Sequence, residues 1–139
     1  MDDVSLRWFL GTWILDPASC DYQVGVPPQS GRYRLSLHND GVWFAIDWVD
    51  ADGQSHQIGF SMKPDGERHP VASEAGQEMS LTVVDDWTLD SAIWRGATRI
   101  HYARRVVNAD TQRMQVTQIF LTAEGEEATN IAAYQRQDT

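Results

Sequence analysis

Apolar and polar residues alternate along most of this chain with a period of two, the repeat of a strand that buries one face. In 42–49, Val42, Phe44, Ile46 and Trp48 share one side and Trp43, Ala45, Asp47 and Val49 the other. The ionised carboxylate of Asp47 marks the wetter side, so the Phe44 row points inward. The same parity turns Tyr33, Leu35 and Leu37 inward, with Arg32, Arg34, Ser36 and His38 outward. Further inward rows are His56, Ile58, Phe60 and Met62; Met79, Leu81 and Val83; and Trp87, Leu89 and Ile93. Two rows mix polar groups into apolar ones: Ile100, Tyr102, Arg104 and Val106, then Met114, Val116, Gln118 and Phe120.

Turn signals separate these rows, among them Asn39-Asp40-Gly41, Asp50-Ala51-Asp52-Gly53, Pro64-Asp65-Gly66 and Glu124-Gly125. Asn, Asp and Gly supply the positive φ angles that tight hairpins need. The pattern predicts strands near 12–15, 31–38, 42–49, 54–62, 79–84, 87–94, 97–107, 113–122 and 128–136. Asp16 to Ser30, with Pro17, Pro27 and Pro28, reads as a long loop, and so does Lys63 to Glu78, with a short edge strand near Val71. Ser5 is placed to cap a helix of about two turns that groups Leu6, Phe9 and Leu10. No longer helical period occurs, so the class is all-β. A meander of this length left open would expose two long edges, and closure removes them. The expectation is one domain over 1–139: a closed antiparallel up-and-down β-barrel of about eight to nine strands with a short N-terminal helix. A barrel of about eight strands is filled by its own side chains or holds one small ligand.

Composition narrows the partners. Eleven Lys and Arg against 20 Asp and Glu give a net charge of −9, which repels phosphate backbones, so nucleic acid is not expected. No apolar run approaches the roughly 18–20 residues of a membrane span. The opening Met1-Asp2-Asp3 has no basic and apolar leader, which predicts a cytoplasmic protein, or a periplasmic one if a signal peptide has been removed. The lone Cys20 forms no internal disulfide. Six Trp in 139 residues ask for a heavy aromatic core or a ligand cavity.

The polar groups set into inward rows are the candidate chemistry, because ligand pockets combine apolar walls with a few placed polar groups. The expected ligand contacts are Phe44, Trp48, Phe60, Tyr102 and Phe120 as walls, with Arg104 or Gln118 as polar anchor and His56 as a further orienting group. Arg104 and Arg105 are neighbours, so a one-residue bulge would exchange which of them faces inward. His38, His56, His69 and His101 make no metal-binding spacing, and phosphate-cradling and nucleophile-elbow motifs are missing. No metal and no cofactor is expected.

Phe9-Leu10-Gly11-Thr12-Trp13, a short lead-in followed by G-x-W at the first strand, resembles the calycin superfamily of lipocalins and their relatives. Together with Pro27-Pro28-Gln29-Ser30-Gly31, Asp50-Ala51-Asp52-Gly53, Pro70-Val71, Arg105-Val106-Val107 and Thr129-Asn130-Ile131-Ala132, it is similar to a group of small, mostly uncharacterised bacterial lipocalin-like domains. The resemblance implies that Trp13 plugs the closed end under a cation, either Arg136 or Arg105. Avidin-type and nitrobindin-like barrels also carry G-x-W, but Ile14-Leu15-Asp16-Pro17 departs from the segments that follow it in those families. The leading expectation is a binding module for one small hydrophobic or amphipathic ligand. Two alternatives stand beside it. One is a cofactor-free isomerase or cyclase using His56, Tyr102 and Arg104. The other is a filled barrel that forms a homo-oligomer through outward-facing Trp43 and Trp94.

Overall fold

The computed structural model describes residues 6–39, 41–71, 74–108, 110 and 112–137. Ten strands follow one another: β1 Gly11–Tyr22, β2 Ser30–His38, β3 Gly41–Val49, β4 Ser55–Met62, β5 His69–Pro70, β6 Gln77–Asp85, β7 Thr88–Arg95, β8 Thr98–Val107, β9 Arg113–Leu121 and β10 Glu127–Arg136. They form a single antiparallel sheet in the order β4-β3-β2-β1-β10-β9-β8-β7-β6-β5. Every neighbour in that order is a sequence neighbour except β1 and β10, whose pairing joins the two ends of the chain. The sheet curls, since side chains from β1 and β2 through to β9 and β10 face one interior space.

Three expectations need correction. The strand count is ten, because residue pairs His69↔Met79 and Pro70↔Glu78 add a two-residue strand. The barrel is not closed by hydrogen bonds, since β4 and β5 end the ladder without pairing with each other. Pro70 removes a donor from that edge, and two residues are too few to bridge it. The two-turn N-terminal helix is absent: Leu6 to Leu10 makes one turn, with Phe9 N–H and Leu10 N–H both donating to the Leu6 carbonyl at 2.9 and 3.3 Å. Ser5, its expected cap, lies outside the described residues.

The first long loop is also shorter than expected. β1 continues through Pro17 to Tyr22 because the pairing with β10 shifts between Asp16 and Asp21, leaving the proline in an irregular stretch where its missing N–H costs no ladder bond. Ser19 ties that stretch down, its Oγ donating to the Asp16 carbonyl at 2.6 Å and accepting from Ala133 N–H at 2.8 Å.

The core collects at one end of the curl. Leu6 and Phe9 of the lead-in turn and Trp13, Leu35, Val42, Phe44, Leu81, Leu89, Val107 and Met114 of the strands are fully buried and meet there. Trp13 is its centre. Its indole Nε1–H donates to the Phe9 carbonyl at 3.0 Å, and the Arg136 guanidinium lies 4.2 Å above its ring. Arg136 is thus the cation of the two expected over Trp13. It donates to the carbonyls of Leu10 at 2.9 Å and Trp8 at 2.6 Å, tying the lead-in turn to the last strand. Gly11, at φ +121°, allows this approach, since a Cβ there would stand 3.1 Å from the guanidinium.

Candidate functional site

Above this floor the interior is open. A cavity of about 730 Å³ is bounded by Leu15, Tyr33, Ile46, Trp48, Phe60, Met62, Met79, Ile93, Ala103, Val116 and Tyr134, with Ser91, His101, Arg105 and Gln118 as its inner polar groups. That volume suits a ligand of drug or lipid size. Tyr22, Val26, Asp47, Asp50 and Glu74 also contribute to its lining.

The decisive residue is Arg105. It is 4 % exposed, and hydroxyl oxygens are its only hydrogen-bond acceptors among the described residues. Nε and Nη2 donate to Tyr33 Oη at 2.9 and 2.7 Å, and Nη1 donates to Ser91 Oγ at 3.0 Å. The guanidinium also faces the rings of Phe44 at 5.2 Å and Tyr33 at 5.6 Å. A guanidinium carries five N–H donors, so two remain free. Tyr33 Oη already accepts twice from Arg105, which leaves its own proton to be donated elsewhere. Tyr134 has no hydrogen-bond partner among the described residues, yet no enclosed polar side-chain atom lacks one, so its hydroxyl opens into the cavity. Burial pushes the Tyr134 hydroxyl well above its ordinary range, with Tyr33, Tyr22 and Cys20 adding to it, so it stays a donor at neutral pH. Hydroxyl and guanidinium donors therefore gather around one buried positive charge that has no carboxylate hydrogen-bonded to it among the described residues; Asp90, on the other face of the sheet, feels that charge only through space.

The bulge between β7 and β8 explains why Arg105 and not Arg104 is inside. Ile93 pairs with His101 while Trp94 pairs with Arg99, so Ile100 is an extra residue and parity reverses beyond it. His101, Ala103, Arg105 and Val107 then face in. Tyr102 and Arg104, expected inside, are outside: Arg104 grips Asp90 through Nε and Nη2, both at 2.8 Å, and Tyr102 Oη donates to Asp90 at 2.8 Å. Burial raises the Asp90 carboxyl, but these bonds, with the positive charges of Arg104 and Arg105, outweigh it and hold it below its ordinary value.

The other expected contacts separate by depth. Trp48, Phe60 and Gln118 line the cavity. Phe44 belongs to the floor, stacked on Phe60 at 5.1 Å and fully buried. Phe120 shares the inward face of Gln118, directly across from His101 and Ala128, but is half-buried beyond the cavity's lining. His56 sits beside the wall, stacked on Trp48 at 5.1 Å and bonded through Nε2 to Asp50 at 2.8 Å. That bond, with the backbone N–H groups of Gln54 and Asp52, lowers the Asp50 carboxyl. His56, Tyr102 and Arg104 are thus dispersed between two faces and form no joint acid–base site. On the outer face, Trp43 lies across Gly59, where a Cβ would stand 2.6 Å from the indole, and the Arg68 guanidinium covers Trp94 at 4.5 Å.

Parity could have found Ser91, which shares the Leu89 and Ile93 row, and Tyr134, which shares that of Arg136. His101 and Arg105 needed the bulge.

The site is thus a cavity inside a curled antiparallel sheet, with apolar walls and a buried guanidinium. The comparisons with solved structures agree. The chain is similar to the fluorescent protein UnaG at 15% identity and a TM-score of 0.59, covering 95% of this chain and 99% of that one. An N57Q mutant of UnaG aligns at 14% identity and a TM-score of 0.58, covering 94% and 97%. Zebrafish ileal bile acid-binding protein complexed with cholic acid aligns at 10% identity and a TM-score of 0.54, covering 94% and 99%. At these identities the likeness establishes the fold alone, one like that of fatty-acid-binding proteins. No protein-family model and no curated protein sequence matches the chain.

Proposed function

We propose that this protein binds one amphipathic molecule with an acidic head, burying its apolar body against Leu15, Ile46, Phe60 and Met79 and its head against Arg105. The observation that carries this reading is Arg105 itself, a buried cation whose partners are all neutral hydroxyls. A buried charge with no counter-charge bonded to it is costly, and a ligand carboxylate would supply one together with charge-assisted hydrogen bonds. The zebrafish protein of similar fold, complexed with cholic acid, an amphipathic carboxylic acid, supports the reading.

Calorimetric titration with stearate and with the octadecyl trimethylammonium cation tests it. Stearate is expected to saturate at one molecule per chain, and the cation to bind at least tenfold more weakly. Equal affinity for the two, or no saturable binding of stearate, overturns it. The dispersal of His56, Tyr102 and Arg104 favours binding over the acid–base reading.

A further inference from the structure

The acid-binding reading leaves one polar pair in the cavity wall without a task. His101 of β8 and Gln118 of β9 both line the cavity and are bonded to each other, His101 Nε2 to Gln118 Oε1 at 3.3 Å. Neither is bonded to Arg105, Tyr33 or Ser91. Gln118 stands in a row that is otherwise apolar, His101 shares its row with Ala103, Arg105 and Val107, and Ile93, Ala103 and Val116 line the cavity beside the pair. Burial, with the positive charge of Arg105 adding to it and the Gln118 bond opposing, holds the His101 imidazole below its ordinary range, so it is neutral at neutral pH.

A neutral imidazole has one donor and one acceptor nitrogen, and a carboxamide has both kinds of atom. If His101 donates to Gln118, its Nδ1 remains an acceptor and the amide N–H groups remain donors. If the amide is turned and donates to His101, the imidazole keeps a donor and the amide oxygen is the acceptor. In either arrangement the pair presents one donor and one acceptor with no other partner among the described residues.

We propose that His101 and Gln118 form a second recognition point that selects, among apolar acids, those carrying a hydroxyl group away from the acid. The proposal rests on the acid-binding reading of the cavity. A hydroxyl both donates and accepts, which matches the pair's two free functions. His101 and Arg105 are four residues apart on one strand, about 13 Å at the usual strand rise, so the hydroxyl sits well along the ligand body and not beside its head. A wall that pairs with a hydroxyl rejects the analogue lacking it far better than an apolar wall distinguishes sizes, because its polar groups would be left unpaired.

Stearate and a mid-chain hydroxystearate share the acid and the chain length and differ in the hydroxyl alone. Their affinities are measured on the wild type and on Gln118→Leu and His101→Leu, with near-ultraviolet circular dichroism verifying the fold of each. The wild type is expected to favour the hydroxystearate at least tenfold, and each variant that folds to bring the ratio of the two affinities close to one. A wild-type ratio near one, or the same ratio in the wild type and the folded variants, overturns the proposal while leaving stearate binding, and with it the acid-binding reading, in place. Failure of both acids to bind the wild type overturns the reading and this inference together.

Discussion

Trp13 and His101 show how single side chains carry stability and how the site modifies it. Trp13 has no exposed surface, a satisfied indole N–H and a guanidinium on its face. Trp13→Ala is expected to cost about 3–5 kcal/mol as a large core deletion, read from chemical denaturation, and a loss below about 1 kcal/mol would contradict its role as the floor. His101 makes the opposite contribution. Its folded pKa is depressed, so the unfolded chain binds more protons once pH falls through the ordinary value of 6.5. Stability is then lost as pH falls from there toward the folded pKa. Urea midpoints compared between pH 7.5 and 5.5 should drop further in the wild type than in His101→Gln; equal drops would show that the imidazole is not held neutral by burial. Most inward residues were legible from parity, as with Trp48, Phe60 and Gln118. Arg105 and His101 were not, because the bulge that turns them inward depends on pairing across β7 and β8, and Ile100 has no local feature that announces it.

Among the elements, hairpin signals placed nearly every strand to within a residue or two, since a two-residue turn leaves little freedom in register. β1 ran past Pro17 because the irregular pairing with β10 accommodates the proline, and no propensity in the sequence reports that. Among the described residues the lead-in makes one turn, and Gly11 begins the strand directly after it. The unsealed edge between β4 and β5 has a dynamic consequence. β4 is hydrogen-bonded on one side by β3 and carries mostly exposed residues, whereas β9 lies between β8 and β10. Amide hydrogen exchange is expected to be fastest, among the strands, in β4 and β5 and slowest in β9 and β10. Protection of β4 equal to that of β9 would mean that the seam is sealed in solution.

At the scale of the whole molecule, the tension set by six Trp between core and cavity resolves by depth. Trp13 fills the floor, and Trp48 lines the open space. Trp8 and Trp87 stack at 5.5 Å near the lead-in turn, and Trp43 and Trp94 lie on the outside of the sheet. The fold class was legible because alternation and turns are local, whereas the site was legible only in part because it is built from long-range register. Within a chain of net charge −9, the cavity holds the one buried guanidinium among the described residues.

The role of that guanidinium is best tested by replacing Arg105 with methionine, which fills similar volume without charge. Stability of the ligand-free protein and affinity for stearate are measured on the same samples. Removal of a buried charge that has no carboxylate bonded to it is expected to raise stability by about 1 kcal/mol or more while weakening stearate binding at least tenfold. An Arg105→Met protein that keeps full stearate affinity, or that loses stability as a structural residue would, contradicts the assignment of Arg105 as the ligand's anchor.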